Sequence, residues 1–423
     1  MAEKNVWNNT RKKSYPCEMK NLTFLAATLL LCASGYAQPS MYRAELTLQD
    51  SVLLPFFFIW DGSEGSTGHL RNGKEDILMR QVEPKGDSLV FEFPVFNNAL
   101  HLLVSNDTET LQGYWVRYDA GNVRYPVRMT RGNFNRFLGE HSEGYPALVK
   151  EKYALTLESN EIEPTPAIGE FQRTGLQSFE GSILTESGDT RYLEGNVIGK
   201  ELFLSTFDGI HAYVFKATIS VDGSLKGHHF SGKKYARPFH GKPDAQAALR
   251  DPKTIATLSP SAQGTVAFSL PDWSTGQVVS LPEATKGQVT IVQIMGSWCP
   301  NCMDESRFFA DLYREFSSKG LKIIGVAFEK TEDRLAAQTA LGKCIRDLAL
   351  PYPVLFAGKA NAATIAKVFP TLEHFGGYPT SLVLDKKGRV RSIHTGFSGP
   401  STTLYADYVK EQTALIHSLL TEK

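Results

Sequence analysis

The sequence predicts a multidomain chain, with an N-terminal all-β sandwich or open barrel followed by a C-terminal α/β sheet. Three observations carry this expectation. From Met41 to about Tyr235, short strand-like runs recur at regular spacing with almost no helical periodicity. From Val266 onward, strand and helix signals alternate. The second part also holds Trp298-Cys299-Pro300-Asn301-Cys302, set between a β-branched apolar run and a stretch of good helix formers.

The bulk numbers agree with more than one domain. The chain has 423 residues, 42% hydrophobic and 21% charged, which is ordinary globular composition divided over two or three domains. Basic and acidic residues balance at 45 each, so charge points to no nucleic-acid partner. Five cysteines are too few for a disulfide-stapled scaffold.

Residues 1–37 read as a signal peptide. Met19-Lys20-Asn21 gives a short basic start, Leu22 to Leu31 an apolar stretch, and Gly35-Tyr36-Ala37 a small-x-small cleavage pattern. Met19 then offers an alternative start, with 1–18 as an upstream extension. A lipoprotein reading through Cys32 is the weaker one, because Leu31 is bulky for the residue before a lipidated Cys. Cleavage after Ala37 leaves 40 basic and 43 acidic residues. No later apolar run is long enough to span a bilayer, so no stable membrane insertion is expected after cleavage.

Residues 38–240 form the expected β-rich domain. Tyr42 to Leu48 approximates period-two alternation, and Val52 to Trp60 is an apolar strand that Pro55 assigns to an edge or bulge. Further strands are expected at Ser88–Phe93, Ala99–Val104 and Thr110–Arg117. Turns such as Asp61-Gly62, Asn72-Gly73 and Asp208-Gly209 punctuate them. Ser178 to Ser231 reads as an antiparallel meander. Adjacent His228 and His229 would point to opposite faces of a strand and cannot chelate one ion together. Trp60, Tyr114, Trp115 and Phe203 are expected in the core rather than around a ligand. From Ala236 the pattern breaks into a Pro-bearing linker, 241–263, carrying one short helix at Ala245–Arg250.

The C-terminal part, 264–423, begins with an expected hairpin around Thr275-Gly276. The run Val289 to Met295 follows as a buried strand, then a helix over Met303 to Ser318, then a second buried strand over Leu321 to Phe328. Helices are expected over Thr331–Asp347, Ala360–Val368 and about Ser401–Leu420, and strands at Val354–Phe356, Thr380–Leu384 and Val390–His394.

Two cysteines separated by two residues at a strand-to-helix turn make a dithiol redox site. A Cys at the first turn of a helix faces unpaired backbone N–H groups and the positive end of the dipole, and both favour thiolate. The partner three residues on lies one turn deeper, close enough to close a disulfide. A zinc site would need a second ligand pair, and the sequence has no other Cys-x-x-Cys and no His-x3-5-His. No metal is therefore expected. Cys344, alone in a helical stretch, reads as an inert core thiol.

Residues 264–423 resemble the thioredoxin-like proteins of the TlpA/ResA branch, exported thiol–disulfide oxidoreductases. The residues that carry the resemblance are Val278 to Leu281, Trp298 to Cys302, Glu305, and Gly377-Tyr378-Pro379-Thr380 leading into a strand and an Asp-Lys-Lys-Gly turn. The resemblance implies a thioredoxin-like fold, no cofactor, catalytic Cys299 and Cys302, and supporting roles for Trp298, Glu305 and Pro379, the last in cis. It implies disulfides of exported proteins as substrates and an upstream thiol reductant. Gln293 departs from the pattern, since many thioredoxins carry a buried Asp there, six residues before the first Cys. Glu305 serves as proton acceptor in this branch, while a Glu near a helix start, favoured by the dipole, is the plainer reading. Arg307, in place of a usual Pro, and Lys330 are expected as solvated charges. A β-rich exported domain ahead of such a domain resembles proteins of Bacteroidetes-type bacteria, which implies the periplasm or cell envelope of a Gram-negative organism. Two other functions fit the residues less well. A peroxiredoxin-type peroxidase would want Thr where Gly296 stands, and a binding role for the β domain would make the dithiol accessory.

Overall fold

The computed structural model describes residues 39–422 apart from 50, 64, 86–87, 106–107, 133, 139–147 and 159–162. The leader expected at 1–37, with Met19 and Cys32, lies outside the described residues.

The β-rich part is two closed barrels in tandem, where one sandwich or open barrel was expected. In the first, eight strands from Ser40–Gln49 to Val123–Arg131 pair antiparallel in chain order. The last returns to the first through Tyr42↔Arg131 to Leu46↔Val127. In the second, the strands Lys152–Leu157 and Tyr235–Pro243 pair with each other, and Thr165–Arg173 pairs with both Lys152–Leu157 and Ser178–Thr185, which closes the ring. Sequence alternation could not distinguish these outcomes. One apolar face per strand suits a sandwich and a barrel equally, and closure depends on pairing between distant residues such as Leu157 and Phe239.

Each barrel is filled by its own inward side chains. In the first strand Tyr42, Ala44, Leu46 and Leu48 face inward among Phe56, Phe58, Phe91 and Trp115. Trp60 and Trp115 are core residues as expected, whereas Tyr114 is exposed. The strand Val52–Trp60 belongs to a closed ring, yet at Pro55 it keeps one unpaired side, as the sequence predicts. Pro55 faces Glu45 on one side, and pairing on the other side starts only at Phe57. Its missing N–H therefore costs no ladder bond, and its carbonyl accepts from Ser205 Oγ of the second barrel at 2.7 Å. Fully buried Arg136 joins the barrels by donating to Asn72 Oδ1 at 2.7 Å and pairing with Glu194 at 3.0 Å.

The expected linker helix does not form. The strand Tyr235–Pro243 runs through Pro238, and Asp244 Oδ1 then accepts the N–H of Gln246 in a turn. Six helix-forming residues are too few to nucleate a helix alone. Burial of Ala247 against Ile168 and Leu184 holds the segment irregular instead.

The C-terminal part is a five-stranded sheet in the order Val354–Lys359, Leu321–Glu329, Val289–Met295, Thr380–Leu384, Val390–Thr395. The first three are parallel, and Thr380–Leu384 runs antiparallel to both of its neighbours. Helices α1 (Pro300–Phe316), α2 (Arg334–Asp347) and α4 (Tyr405–Thr421) pack on one face. The other face is covered by α3 (Ala362–Val368) and the hairpin Phe268–Pro271/Val278–Leu281. Every residue of the strand Val289–Met295 is buried, as an apolar run without alternation requires. Among the described residues, no helix is long and apolar enough to cross a membrane.

Candidate active site

The central strand Val289–Met295 ends at Gly296 and hands the chain to α1 within four residues. Cys299 is the N-cap of α1 and Pro300 its first residue, where a missing N–H costs nothing. The backbone N–H of Cys302 donates to Cys299 Sγ at 3.1 Å, so the helix end is directed at this sulfur. Cys299 and Cys302 are joined as a disulfide. Cys302 is fully buried. Cys299 is the more exposed of the pair, though with only 5% of its surface accessible.

Glu305 lies three residues beyond Cys302, on the same side of α1 and fully buried. Its Oε2 accepts from Gln293 Nε2 and its Oε1 from the Tyr408 hydroxyl, both at 2.9 Å. Burial pushes this carboxyl up to about 7, against the pull of those hydrogen bonds. Gln293 also donates to the Cys302 carbonyl at 3.3 Å and accepts from Ser306 Oγ at 2.9 Å. The residue that replaces the usual acid therefore ties Glu305 to the backbone of the dithiol. This network is more than dipole-favoured placement of a Glu requires.

On the opposite side, Trp298 Nε1 donates to the Phe328 carbonyl at 3.0 Å, and its ring meets the Tyr378 ring edge-on at 5.2 Å. Lys330 is exposed, as expected of a solvated charge, and its Nζ sits 4.7 Å from the Trp298 ring centroid. The Tyr378–Pro379 bond is cis, as is Leu281–Pro282, which the sequence did not reveal. Pro379 is buried, and its carbonyl accepts from Gly396 N at 2.8 Å. Arg307 pairs with Asp304 at 2.8 Å. Cys344 is buried in α2, and burial pushes its thiol up to about 12, as an inert core thiol requires.

Tyr408 and Glu329 were missed by reading the sequence. Tyr408 is one aromatic position on the buried face of α4, and nothing local marks it as the partner of Glu305. Glu329 closes the strand Leu321–Glu329 and accepts from Ser297 N at 3.0 Å and Ser297 Oγ at 2.6 Å. Burial raises it to about 6. An acid ending a fully buried strand beside the dithiol turn was the available signal. His229 is buried and stacked on Phe215 while His228 is exposed, so the pair faces opposite ways.

Comparison with known proteins adds to this geometry. Residues 263–393 match the AhpC/TSA family. Sporulation thiol-disulfide oxidoreductase A of Bacillus subtilis is 29% identical over 138 residues, 33% of this chain and 73% of that protein. Thiol-disulfide oxidoreductase ResA of Bacillus cereus is 29% identical over 105 residues, 25% of this chain and 53% of that protein. Thiol:disulfide interchange protein DsbE of Vibrio cholerae is 26% identical over 112 residues, 26% of this chain and 52% of that protein. The chain thus spans about half the length of the last two. A crystal structure of a thioredoxin-family thiol:disulfide interchange protein from Chlorobium tepidum is 21% identical, covering 37% of this chain and 95% of that one at a TM-score of 0.28. The C-terminal region of this chain thus matches the AhpC/TSA family and is similar to thiol–disulfide oxidoreductases.

Proposed function

We propose that the protein is an exported thiol–disulfide oxidoreductase that reduces disulfides of other exported proteins through Cys299 and Cys302. The observation that carries this reading is the dithiol at the start of α1, with the Cys302 N–H on the outer sulfur and a buried carboxyl near neutrality behind the inner one. The reduced Cys299 thiolate attacks a partner disulfide in line, and the partner's S–S bond breaks as a mixed disulfide forms. The displaced partner sulfur leaves as thiolate and takes up a proton. Cys302 then loses its proton to the Glu305 carboxylate and attacks Cys299 Sγ. This releases the second partner thiolate and closes Cys299–Cys302. Two electrons pass from the dithiol to the partner, and an upstream thiol reductant returns them. Trp298 and Pro379 frame the face on which the partner lies.

The leader pattern and the layout of a β-rich part ahead of the dithiol domain support the periplasm or cell envelope of a Gram-negative organism, and balanced charge and the want of a later bilayer-long apolar run favour no nucleic-acid partner and no stable membrane insertion. A peroxidase is disfavoured by more than a motif. A Cβ on Gly296 would lie 2.4 Å from Trp298 Nε1 and 2.7 Å from the Phe328 carbonyl, so threonine does not fit there. The test is insulin reduction by the full chain, driven by a thiol. Cys299→Ser should abolish it, and Cys302→Ser should accumulate mixed disulfides through Cys299 that identify the partner. Turnover that survives Cys299→Ser, or peroxide consumption in place of insulin reduction, would refute the reading.

A further inference from the structure

The outer cysteine of a dithiol that serves protein substrates must be reachable by a polypeptide, yet Cys299, Pro379 and Gly396 are all buried. What covers this face belongs to the second barrel. Its strand Ser178–Thr185 turns at Glu186 and Ser187 into the short strand Gly188–Asp189, and this tip lies against the dithiol turn. A Cβ on Gly188 would stand 2.6 Å from the side chain of Asn301, the residue between the two cysteines. A Cβ on Gly396 would stand 2.3 Å from the Glu186 carbonyl, and one on Gly377 3.5 Å from Ser187 Cβ. At Gly188 and Gly396, tip and active-site turn therefore meet glycine to side chain and glycine to backbone at spacings that only missing Cβ atoms permit, and at Gly377 they are in ordinary contact.

The contact is also latched. Asn301 Nδ2 donates to the Asp189 carbonyl at 3.3 Å. The Asp189 carboxylate accepts the N–H of Gly399 at 2.5 Å and the Ser401 hydroxyl at 3.2 Å. Behind it, Arg191 donates its own N–H to Asp189, and its guanidinium pairs with Asp304 of α1 at 3.1 Å. Asp189 is buried, so these bonds are not open to exchange with water while the tip is seated.

We propose that Glu186–Asp189 is an intramolecular cap on the dithiol. It holds the ground beside Pro379 and Gly396 that a partner polypeptide must occupy, and protein disulfides are engaged only when the tip lifts. The inference rests on the redox reading above. In-line attack needs access along the sulfur–sulfur axis. A small thiol can enter past a seated tip, whereas an extended chain cannot lie there at the same time. Reset by a small reductant and engagement of a protein are thereby separated, and opening of the hairpin becomes the gate for the second.

The test compares reagents of one chemistry and two sizes on the reduced full chain. These are N-ethylmaleimide and a polyethylene-glycol maleimide, with modification read at Cys299 by peptide mass mapping and glutathione as the size-independent reference. A cap closed about nine-tenths of the time or more should slow the large reagent about tenfold or more relative to that reference. Gly188→Ala wedges the tip from one side and Asp189→Ala removes the latch. Each should restore the large reagent by about tenfold and leave the small one within about twofold. Buried Cys344 is the internal check that a variant is folded, because it should stay unmodified. If the wild type shows the glutathione ratio, or if a folded variant leaves the ratio unchanged, the cap is overturned even where the other variant fails to fold. Insulin reduction separates the two ideas. Variants that open to the large reagent while wild type and variants all leave insulin intact would sink the redox reading and keep the cap.

Discussion

Glu305→Gln should change how stability depends on pH, by an amount the site itself dictates. In the folded, disulfide-bonded protein, burial holds the Glu305 carboxyl near 7 instead of its ordinary 4.5. A group raised on folding contributes its stability in full below its unfolded value and loses it as pH rises through the folded one. At about 1.4 kcal/mol per pH unit, the folded wild type should lose about 3 kcal/mol between about pH 4 and pH 8 through this one group. Gln cannot ionise, so that slope should vanish. The variant pays a separate cost, since both Gln293 Nε2 and Tyr408 Oη now donate toward this carboxyl and one must reorient to meet an amide. That cost does not depend on pH. The assay is urea unfolding of oxidised wild type and variant across this range, with their difference taken at each pH. Glu329, raised by burial, and His229 and His394, lowered by it, titrate in both proteins and cancel. The difference should move in favour of the variant as pH rises. Parallel curves would mean that Glu305 is not the buried, near-neutral acid described here, and would remove its role in deprotonating Cys302.

Tyr408→Phe removes one of the hydrogen bonds that hold Glu305 down, so the same titration should move above about 7, by roughly one pH unit; a midpoint that stays or falls refutes the assignment, read from the pH dependence of the variant's stability. Arg191→Ala leaves Glu75, Asp208 and Asp304 buried without their shared cation, and should cost about 3–5 kcal/mol in a melting or urea experiment. A loss under about 1 kcal/mol would show that these carboxylates find water once the arginine is gone.

The strand-to-helix turn that carries Cys299 and Cys302 was legible because its signals are local. An apolar β-branched run, a Cys-x-x-Cys and a helix-forming stretch follow one another, and the structure realises them as Val289–Met295, the N-cap and α1. The helix at Ala245–Arg250 failed for the converse reason: its propensity was real, but six residues of it lose to a turn at Asp244 and to burial of Ala247. Gln293 marks the middle ground. Its loss of the usual acid was plain, yet only packing shows that it became the donor joining Glu305 to the Cys302 carbonyl.

By itself, then, the sequence determined the two-part architecture and the dithiol turn, whose signals lie within a few residues of one another, while Trp298, Glu305 and Pro379 became candidates through the family resemblance. Tertiary structure alone decided that the β-rich part closes into two barrels, that Tyr408 and Gln293 hold Glu305, and that Glu186–Asp189 packs against Asn301 and Gly396 beside the dithiol turn. Most of these contacts join residues far apart in the chain, such as Tyr408 with Glu305 and Asp189 with Gly399, and even Gln293 reaches Glu305 from a different element. No periodicity or spacing records such contacts, because they follow from which buried surfaces and backbone hydrogen bonds can be satisfied together.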